Sequence, residues 1–598
     1  MALLVQKFGG SSVATPDRLG NVRDRIRQAV AAGHQVVAVV SAMGKTTDEL
    51  LGLAAAVTGG QGGNERERDL LLASGEQVSV ALLALALQAA GQPAIGLLGH
   101  HLRIVAEPIH GRARILYVET ERLRTHLNQG EVVVVAGFQG VAAVGDRVTD
   151  EIVTLGRGGS DTSAVAIAAA LEADRCEIYT DVPGILTTDP RIVPAASLLA
   201  TITCDEMLEL ASQGAKVLHP RAVEIARNFG VDLVVRSSWS ADPGTLVVSP
   251  PHCQGNPKAL EVHNFVEGVT LDTRHIKIGL LEVPDRPGIA AQLFGALAEA
   301  GIEVETIVQS IYDRTSAGPV NDIVFTVPRA QQAAAAALLP TLPFAPQAIQ
   351  IDPEVVRVSI VGVGIVGRPG ILAQMFDALA HGQINIQTIA TSEIEVSCLV
   401  AQTDGDRAVQ ILQETFGVPQ VPVLETTLSP EARTVCGVAL DRQRVKLAVR
   451  GVPDRPGAAA QIFRHLADRG IVLDTIAQAQ SSHNANDIAF TVATADAEAA
   501  HAALQTVAQA LHCQGVVYDG EIAKVSIVGA AMTRHAGIAA RMFRALADLG
   551  VNIETIATSE IKVSCIVREQ QAEAAVHRIH EAFALGGDRP VVVPDRAG

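Results

Sequence analysis

The sequence predicts one α/β domain followed by four small α+β modules, and three observations lead to this prediction. Up to about residue 248, Val- and Ile-rich runs alternate with longer segments of helical period, which is typical of a mainly parallel sheet covered on both faces. A stretch rich in proline, SPPHCQGNPKA, then interrupts any regular element at 249–259. The rest of the chain is an internal repeat with a period of about 167 residues.

Five runs in the first part are predicted to be strands of one sheet: LLVQKF, QVVAVVS, EVVVVAGF, CEIYTDV and VDLVVRSS. Their nearly continuous β-branched character indicates burial on both faces, with amphipathic helices as the connections. We therefore assign residues 1–248 to one domain and residues 249–266 to a linker.

The repeat contains two copies of a pair of related modules. VPDRPG occurs at 283 and again at 452, and TIATSEIEVSC at 388 returns as TIATSEIKVSC at 555, where only Glu395 and Lys562 differ. Each module has a strand, a Pro/Gly turn, an amphipathic helix and further strands, which is enough to close a small core. The predicted modules span 267–350, 351–430, 431–518 and 519–598. The ownership of strands within each pair stays open, because one module could be inserted into the other.

Composition limits the function classes. The chain has 598 residues, 48% of them hydrophobic and 19% charged, as in ordinary globular proteins. The net charge of -17 disfavours binding to nucleic acid or to an anionic membrane. The N-terminal apolar run is too short for a signal peptide, and the longest apolar run falls short of a membrane span, so we expect a cytoplasmic protein.

The segment VQKFGGSSV places Lys7 at the end of the first predicted strand, directly before Gly9 and Gly10. Glycines at such a turn let backbone N–H groups approach an anion, and the next helix N-terminus favours negative charge. A phosphate site is one interpretation, and a tight turn with a solvated lysine is the other. The P-loop pattern is absent from the sequence.

The segment LGRGGSDTSA combines Arg157, two glycines, Ser160 and Asp161 at the start of a predicted helix. Asp161 could simply cap that helix. Capping does not explain Arg157, whose planar guanidinium suits the binding of a carboxylate or phosphate.

Two further segments carry charges near strand or helix ends. TDVPGILTTDPR contains Asp181 and Arg191, and GAKVLHPR contains Lys216. Ligands of parallel sheets gather at the carboxyl ends of the strands, where Lys7, Ser41, Arg157 with Asp161, and Thr180 with Asp181 are all predicted to lie.

Taken in order, KFGGSSV, VVSAMGKTTD, ASGE, FQG, LGRGGSD, TDVPGI, TTDPR and GAKVLHPR resemble the aspartate kinase family, of the amino-acid kinase fold. The resemblance implies that Lys7 and Asp161 are catalytic. It implies that aspartate is bound by Ser41, Thr47, Glu76, Arg157 and Ser160. It implies that ATP is bound by Lys7, Gly9, Gly10, Thr180, Asp181, Arg191 and Lys216. Two departures from the family pattern are Ser11, which keeps a hydroxyl, and Leu186, which replaces a tyrosine expected near the nucleotide.

The implied reaction converts L-aspartate and ATP to 4-phospho-L-aspartate and ADP with Mg²⁺. A side-chain carboxylate with a pKa of about 3.9 is already ionised at neutral pH, so the nucleophile needs no general base. It needs positioning and charge cancellation by cations. The alternatives are another amino-acid kinase, acting on glutamate or acetylglutamate, and an amino-acid sensor that has lost catalysis.

Two segments of the repeated modules, one rich in glycine and one with a Pro/Gly turn, each suggest a kind of ligand. GVGIVG at 362–367 fits a dinucleotide motif, but the second copy keeps only the first of its three glycines. VPDRPG with the helix and strands after it resembles the ACT module, a ferredoxin-like βαββαβ domain that binds amino acids. Such modules usually pair, so we expect a homodimer through the ACT modules and regulation by lysine or threonine.

The resemblance implies two effector sites. The first is predicted to contain Asp285, Gly288, Gln309, Asn385, Ile386, Ser392 and Glu393. The second is predicted to contain Asp454, Gly457, Gln478, Asn552, Ile553, Ser559 and Glu560. A structural alternative is that TIATSE and the residues after it form an edge strand for dimer pairing. The fourth module is the weakest match, because His535 and Ala536 stand where the second module has Arg368 and Pro369.

Overall fold

The computed structural model describes residues 2–60, 63–215, 217–250, 259–261, 265–309, 313–315, 318–344, 346–423, 434–480, 485–530, 532, 535 and 537–587. Within them lie an N-terminal α/β domain and a C-terminal part made of three further sheets.

The N-terminal domain is built on an eight-stranded sheet with the order β10-β12-β11-β9-β1-β2-β6-β3 and a smaller sheet with the order β5-β4-β7-β8. Its strands are β1 (Leu3–Phe8), β2 (Gln35–Val40), β3 (Ala94–Leu97), β4 (Ile104–Ala106), β5 (Ile115–Val118), β6 (Val132–Ala136), β7 (Gln139–Val144), β8 (Arg147–Thr154), β9 (Arg175–Thr180), β10 (Thr201–Thr203), β11 (Leu233–Ser237) and β12 (Thr245–Val248). The pairs β1–β2, β1–β9, β9–β11, β2–β6 and β3–β6 are parallel, which confirms the predicted sheet.

Helices cover both faces of the large sheet. They are α1 (Pro16–Ala31), α2 (Thr46–Thr58), α3 (Glu65–Ala89), α4 (Gly99–Leu102), α5 (Glu121–Asn128), α6 (Gly159–Leu171), α7 (Cys204–Ser212) and α8 (Pro220–Phe229). Within β2, Val37 and Val39 belong to the core that contains α6, whereas Val36 and Ala38 belong to the core that contains α1 and α3. Alternate side chains of a strand point to opposite faces, so these fully buried strands contribute side chains to two cores.

One described helix, α3, is long and apolar enough to cross a membrane by length and composition, and half of its most apolar window is buried within the domain. This helix is longer than the apolar run identified in the sequence, because its polar first turns continue into that run.

The C-terminal part contains β13 (Gly268–Asp272), β14 (His275–Pro284), β15 (Ile307–Gln309), β16 (Asp313–Thr315), β17 (Gly318–Pro328), β18 (Ala348–Asp352), β19 (Val355–Val361), β20 (Thr388–Thr391), β21 (Glu395–Ala401), β22 (Gly437–Asp441), β23 (Arg444–Pro453), β24 (Leu473–Gln480), β25 (Ala485–Ala493), β26 (Gly515–Asp519), β27 (Ile522–Val528), β28 (Thr555–Ser559) and β29 (Lys562–Arg568). Its helices are α9 (Ile289–Glu299), α10 (Gln332–Leu338), α11 (Pro369–His381), α12 (Gly405–Phe416), α13 (Ala458–Ala467), α14 (Ala497–Ala510), α15 (Ile538–Asp548) and α16 (Ala572–Ala582).

The modules are interleaved rather than consecutive, and this arrangement answers the question of strand ownership that the sequence left open. Strand β13, assigned to the first module, pairs with β19 of the second. Strand β22, assigned to the third, pairs with β27 of the fourth. The first module is therefore inserted after the first strand of the second, and the third is inserted in the same way into the fourth.

Pairing between modules crosses the two repeats. Strand β15 of the first module joins β28 of the fourth through Val308 and Ala557, so their strands form one sheet. The second and third modules meet through α11 and α13, where the rings of Phe376 and Phe463 lie 4.5 Å apart. Within one chain, the first module thus pairs with the fourth and the second module with the third.

Candidate active site and effector cavities

Lys7 and Asp161 meet at the carboxyl edge of the large sheet. Lys7 lies near the end of β1 and Asp161 in the first turn of α6, and the Lys7 Nζ to Asp161 Oδ1 distance is 2.5 Å. Both residues are buried, with 9% and 8% of their surfaces exposed. The N-cap of α6 is Gly158 and no side chain caps this helix, so Asp161 pairs with a lysine instead of serving as a cap.

The glycines after Lys7 are required by close approach of a second loop. A Cβ at Gly10 would lie 2.9 Å from the carbonyl oxygen of Ala42. The backbone N–H of Gly44 donates to the carbonyl of Gly10 at 3.0 Å, and that of Gly9 donates to Tyr179 at 3.2 Å. The glycine turn is therefore fixed between the ends of β2 and β9.

Glu76 brings an unpaired carboxylate oxygen to the same edge. It lies on α3, only 3% of its surface is exposed, and its Oε1 accepts from the backbone N–H of Ala42 at 2.9 Å. Its Oε2 is buried and has no hydrogen-bond partner within the described residues. Burial raises the pKa of Glu76 to about 7. Such a group is ready to receive a cation.

The loop between β2 and α2 carries two more predicted residues. Ser41 follows β2, and its backbone N–H donates to Phe8 at 3.1 Å, beside the glycine turn. Thr47 lies in the first turn of α2. Both residues are partly exposed at this edge of the sheet.

The turn that precedes Asp161 is held by His219. Gly158 has a φ of +72°, and a Cβ there would lie 2.3 Å from Cδ2 of His219. Ser160 is buried against Gly137, at the end of β6. Arg157 is exposed and forms no hydrogen bond or ion pair with the part of the chain that the structure describes. His219 was not singled out from the sequence, although it follows Lys216 in the GAKVLHPR segment.

Only some of the predicted nucleotide-binding residues lie together at the sheet edge. The Thr180 hydroxyl donates to Asp181 at 3.2 Å at the end of β9, next to β1. Arg191 is turned away to form an ion pair with Asp189 at 2.5 Å, and 71% of its side chain is exposed. Lys216 lies outside the described residues.

A first cavity, which contains residues of a predicted effector site, lies between the first and fourth modules. Asn552 Nδ2 donates to Asp285 Oδ1 at 3.0 Å, and Gln309 Nε2 donates to the carbonyl of Ile553 at 3.2 Å. Gly288, with a φ of +96°, begins α9 beside them. The cleft between these residues has about 380 Å³ of empty space, which includes part of the surrounding solvent.

The second cavity, between the second and third modules, repeats these contacts. Asn385 Nδ2 donates to Asp454 Oδ1 at 2.9 Å, and Gln478 Nε2 donates to the carbonyl of Ile386 at 3.0 Å. Gly457, with a φ of +91°, begins α13. This cleft has about 340 Å³ of empty space, which again includes part of the surrounding solvent.

The predicted effector sets therefore need correction. Asp285, Gly288 and Gln309 share a cavity with Asn552 and Ile553, not with Asn385 and Ile386, because modules pair across the repeats. The second set changes in the same way, so that Asp454, Gly457 and Gln478 meet Asn385 and Ile386.

The Ser-Glu pairs of the two repeats lie elsewhere. The backbone N–H of Glu393 donates to Glu209 of α7 at 2.9 Å, and the hydroxyl of Ser392 donates to the carbonyl of Glu395 at 3.4 Å. Glu560 lies 3.7 Å from Arg357. Ser559 lines a separate cavity beside the fourth module's turn, together with His535.

Helix α7 connects the N-terminal domain to the modules. Glu209 pairs with Lys562 at 2.9 Å, Glu206 accepts from the backbone N–H of Ala530 at 2.9 Å, and Gln213, just after α7, accepts from Ser526 at 3.2 Å. No feature of the sequence predicts this junction, because α7 has the ordinary pattern of an amphipathic helix.

Comparison with known proteins agrees with this organisation. A model of the amino acid kinase family matches residues 2–237, and models of the ACT domain match residues 279–342, 358–416, 447–512 and 525–583. An aspartokinase from Thermus thermophilus is 46% identical over 417 residues, which are 70% of this chain and 99% of the relative. An aspartokinase from Corynebacterium glutamicum is 44% identical over 422 residues, 70% of this chain and 96% of the relative. The crystal structure of an aspartate kinase from Synechocystis superposes with a TM-score of 0.83 at 49% identity and covers 99% of this chain and 100% of that one.

Proposed function

The chain belongs to the aspartokinase family, and from that premise we propose which residues transfer phosphate from ATP to the side chain of aspartate. Lys7 and Asp161 are the catalytic pair, and their 2.5 Å contact at the sheet edge is the observation that carries the proposal. The nucleophile arrives as a carboxylate, so no residue has to remove a proton from it. Lys7 stabilises the negative charge on the transferring phosphoryl group, and Asp161 orients the Lys7 ammonium.

Aspartate is held on the side of the site formed by α2, α3 and α6. The unpaired oxygen of Glu76 accepts the substrate ammonium group, since that oxygen is buried and otherwise unsatisfied in the described structure. Arg157 binds a substrate carboxylate. The hydroxyl groups of Ser41, Thr47 and Ser160 provide the remaining contacts to aspartate on this side.

ATP is held by the glycine turn and the end of β9. The phosphates face Lys7, Gly9 and Gly10, and the remaining contacts come from Thr180, Asp181, Arg191 and Lys216. Arg191 has to leave Asp189 to reach the nucleotide.

The activity requires a divalent metal, and we propose Mg²⁺. The oxygen donors at the end of β9, Thr180 and Asp181, fit a hard cation of this kind. When bound with ATP, the ion neutralises negative charge on the phosphates.

The two cavities between modules bind amino-acid effectors, with lysine and threonine as the expected ligands. In each cavity an Asp–Asn contact and a Gln–carbonyl contact surround the turn that begins a helix. Backbone N–H groups at that turn suit a carboxylate, and the aspartate suits an ammonium group. The enzyme then stands at the start of lysine, threonine and methionine biosynthesis in the cytoplasm. We retain the predicted four modules, with β13 and β22 reassigned to the second and fourth.

Steady-state kinetics with aspartate, glutamate and acetylglutamate tests the substrate. Turnover of aspartate at least 100-fold above the others in kcat/KM is expected. Turnover of glutamate or acetylglutamate alone would overturn the assignment.

A further inference from the structure

The loop between β9 and β10, residues 181–200, carries Arg191 and contacts the modules; we call it the β9–β10 loop. Its two sides are joined near the base, where the backbone N–H of Thr187 donates to the carbonyl of Ser197 at 2.9 Å. Val193, two residues after Arg191, is only 4% exposed and belongs to the hydrophobic core shared by the first and fourth modules. The tip of this kinase-domain loop is therefore packed into the modules.

Strand β22 of the fourth module holds one side of the loop. The backbone N–H of Val438 donates to the carbonyl of Thr187 at 2.7 Å. A Cβ at Gly437 would lie 3.1 Å from the same carbonyl oxygen. Strand β22 is the last strand of its sheet, so its outer backbone groups need a partner. Thr187 supplies that partner from the kinase domain.

The second module shows a different solution at the matching edge. Its strand β13 begins GVTLD where β22 begins GVALD, so Val269 corresponds to Val438. The backbone N–H of Val269 donates to the carbonyl of Pro419 at 3.1 Å, and that of Val421 donates back to Val269 at 2.9 Å. The second module thus covers this edge with its own chain, whereas the fourth module covers it with the β9–β10 loop.

The residues after α16 hold the other side of the loop. The backbone N–H of Gly587 donates to the carbonyl of Ala195 at 3.1 Å. The hydroxyl of Ser197 donates to the carbonyl of Leu585 at 2.8 Å. Both sides of the β9–β10 loop are therefore bound by the fourth module.

His580 joins these contacts through the side chain of Thr187. It lies in the last turn of α16, is 3% exposed, and its Nε2 is 2.9 Å from the hydroxyl oxygen of Thr187. The same hydroxyl donates to the carbonyl of Leu585 at 3.2 Å and accepts from the backbone N–H of Ser197 at 3.0 Å. A threonine hydroxyl has one hydrogen, so all three contacts are made together only when His580 Nε2 is the donor.

We propose that the fourth module positions the β9–β10 loop for ATP and that His580 is the positioning residue. Arg191 has to exchange Asp189 for the nucleotide. Holding Thr187 just before this segment limits the conformations that the segment can adopt, which lowers the entropy cost of ordering it on ATP. The effect on ATP rests on the proposed role of Arg191, whereas the contact of His580 with the loop does not.

The second module also provides a matched control position. The segments AVQILQETF in α12 and AVHRIHEAF in α16 align, so Gln413 corresponds to His580. The Gln413 side chain forms no hydrogen bond within the described part of the chain. His577, one turn before His580 on α16, is exposed and gives a second control on the same helix.

Steady-state kinetics of the full chain tests the role in ATP binding. His580→Leu and Thr187→Val should each raise the KM for ATP about 2- to 12-fold, the range for losing one neutral hydrogen bond. The KM for aspartate and kcat at saturating ATP should change little. His580→Gln keeps an N–H donor and should restore a KM for ATP close to that of the wild type. Gln413→Leu and His577→Leu should behave as the wild type.

Amide hydrogen exchange of the full chain without nucleotide tests the contact itself. Peptides that cover residues 184–199 should exchange faster in His580→Leu and Thr187→Val than in the wild type, and at the wild-type rate in Gln413→Leu. The double variant should lose no more than the worse single variant, because both substitutions remove the same hydrogen bond. Circular dichroism checks folding, and Thr187→Val provides the test if His580→Leu does not fold.

The proposal is overturned if His580→Leu and Thr187→Val leave both loop exchange and the KM for ATP unchanged. It is equally overturned if Gln413→Leu raises the KM for ATP as much as His580→Leu does, or if the KM for ATP rises while loop exchange does not. If loop exchange rises and the KM for ATP does not, the contact of His580 with the loop stands and the proposed role of Arg191 in binding ATP fails.

Discussion

The ammonium group of Lys562 lies 2.9 Å from Glu209 Oε2, which joins the fourth module to helix α7 of the kinase domain. The other oxygen of Glu209 accepts the backbone N–H of Glu393 at 2.9 Å. Glu393 and Lys562 belong to the two copies of the repeated segment TIATSEI(E/K)VSC. Both copies therefore meet at one buried carboxylate of the kinase domain, and the single difference between the copies provides the cation that pairs with it.

We predict that Lys562→Met lowers the free energy of unfolding by about 3–5 kcal/mol, because it leaves the buried Glu209 carboxylate unpaired. Denaturant unfolding at constant m-value measures this change. The double variant with Glu209→Gln should recover part of the loss, since neither charge is then buried alone. If the losses of the two single variants simply add in the double variant, the ion pair does not stabilise the contact between the fourth module and the kinase domain. Lys562→Met should also weaken inhibition by an effector more than it changes uninhibited turnover.

A second prediction concerns pH and Glu393. Burial, with a further contribution from Glu209, raises the pKa of Glu393 to about 8. The folded protein therefore binds a proton that the unfolded chain, with a glutamate pKa near 4.3, has already released. The folding stability that this bound proton contributes is fully present below the unfolded-state pKa. It is lost as pH rises through about 8. Thermal melts at pH 6 to 9 should show a falling midpoint.

Glu393→Gln should flatten this pH dependence, because its amide does not titrate. Glu299→Gln, at an exposed position on α9, is the control and should keep the wild-type slope. If Glu393→Gln and the wild type have parallel curves, the carboxyl group of Glu393 does not titrate in this range.

A third prediction concerns Glu76. Burial raises the pKa of Glu76 to about 7, so below neutral pH the free enzyme holds an acid that cannot pair with an ammonium group. The kcat/KM for aspartate should fall as pH decreases through about 7. Glu76→Gln should lower kcat/KM for aspartate about 30- to 5,000-fold, the range for losing one partner of a buried charge pair. It should leave the KM for ATP nearly unchanged, and an equal rise in both KM values would contradict the assigned role.

A fourth prediction separates catalysis from regulation. Lys7→Ala should reduce kcat about 10²- to 10³-fold, because it removes a fixed charge aimed at the transferring phosphoryl group. Effector binding measured by calorimetry should not change, since Lys7 lies in the kinase domain, away from both cavities. Residual kcat above a tenth of the wild-type value would exclude Lys7 from the reaction.

The parts of this protein that sequence could predict are those with a local signal. Lys7 and Asp161 were identified because each follows or precedes a Gly-rich turn at a strand or helix end, and such ends converge in a parallel sheet. Glu209 could not be identified, because a buried acid on an amphipathic helix has no distinctive neighbours in sequence. Its partners, Glu393 and Lys562, lie 184 and 353 residues later in the chain.

The pairing of modules was predicted incorrectly for a related reason. Two nearly identical repeats offer Asp285 two equivalent partners, Asn385 and Asn552, and the local sequence INIQTI or VNIETI does not distinguish them. Tertiary contacts decide between them: in the structure α9 packs on α15, where the rings of Phe294 and Phe543 lie 5.4 Å apart, and Asn552 is the partner of Asp285.

A fifth prediction tests this pairing directly by double-mutant cycles on effector binding. Asp285→Ala and Asn552→Ala remove two ends of one 3.0 Å hydrogen bond, so their effects on affinity should be non-additive. Asp285→Ala and Asn385→Ala lie in different cavities, so their effects on the separate sites should add within error. Calorimetry should resolve two sites per chain, with each single variant weakening one of them. Strong coupling between Asp285 and Asn385, with none between Asp285 and Asn552, would mean that the modules pair within each repeat in solution. It would also contradict the contact of both repeats with Glu209, because that contact requires the second and fourth modules to lie side by side on α7.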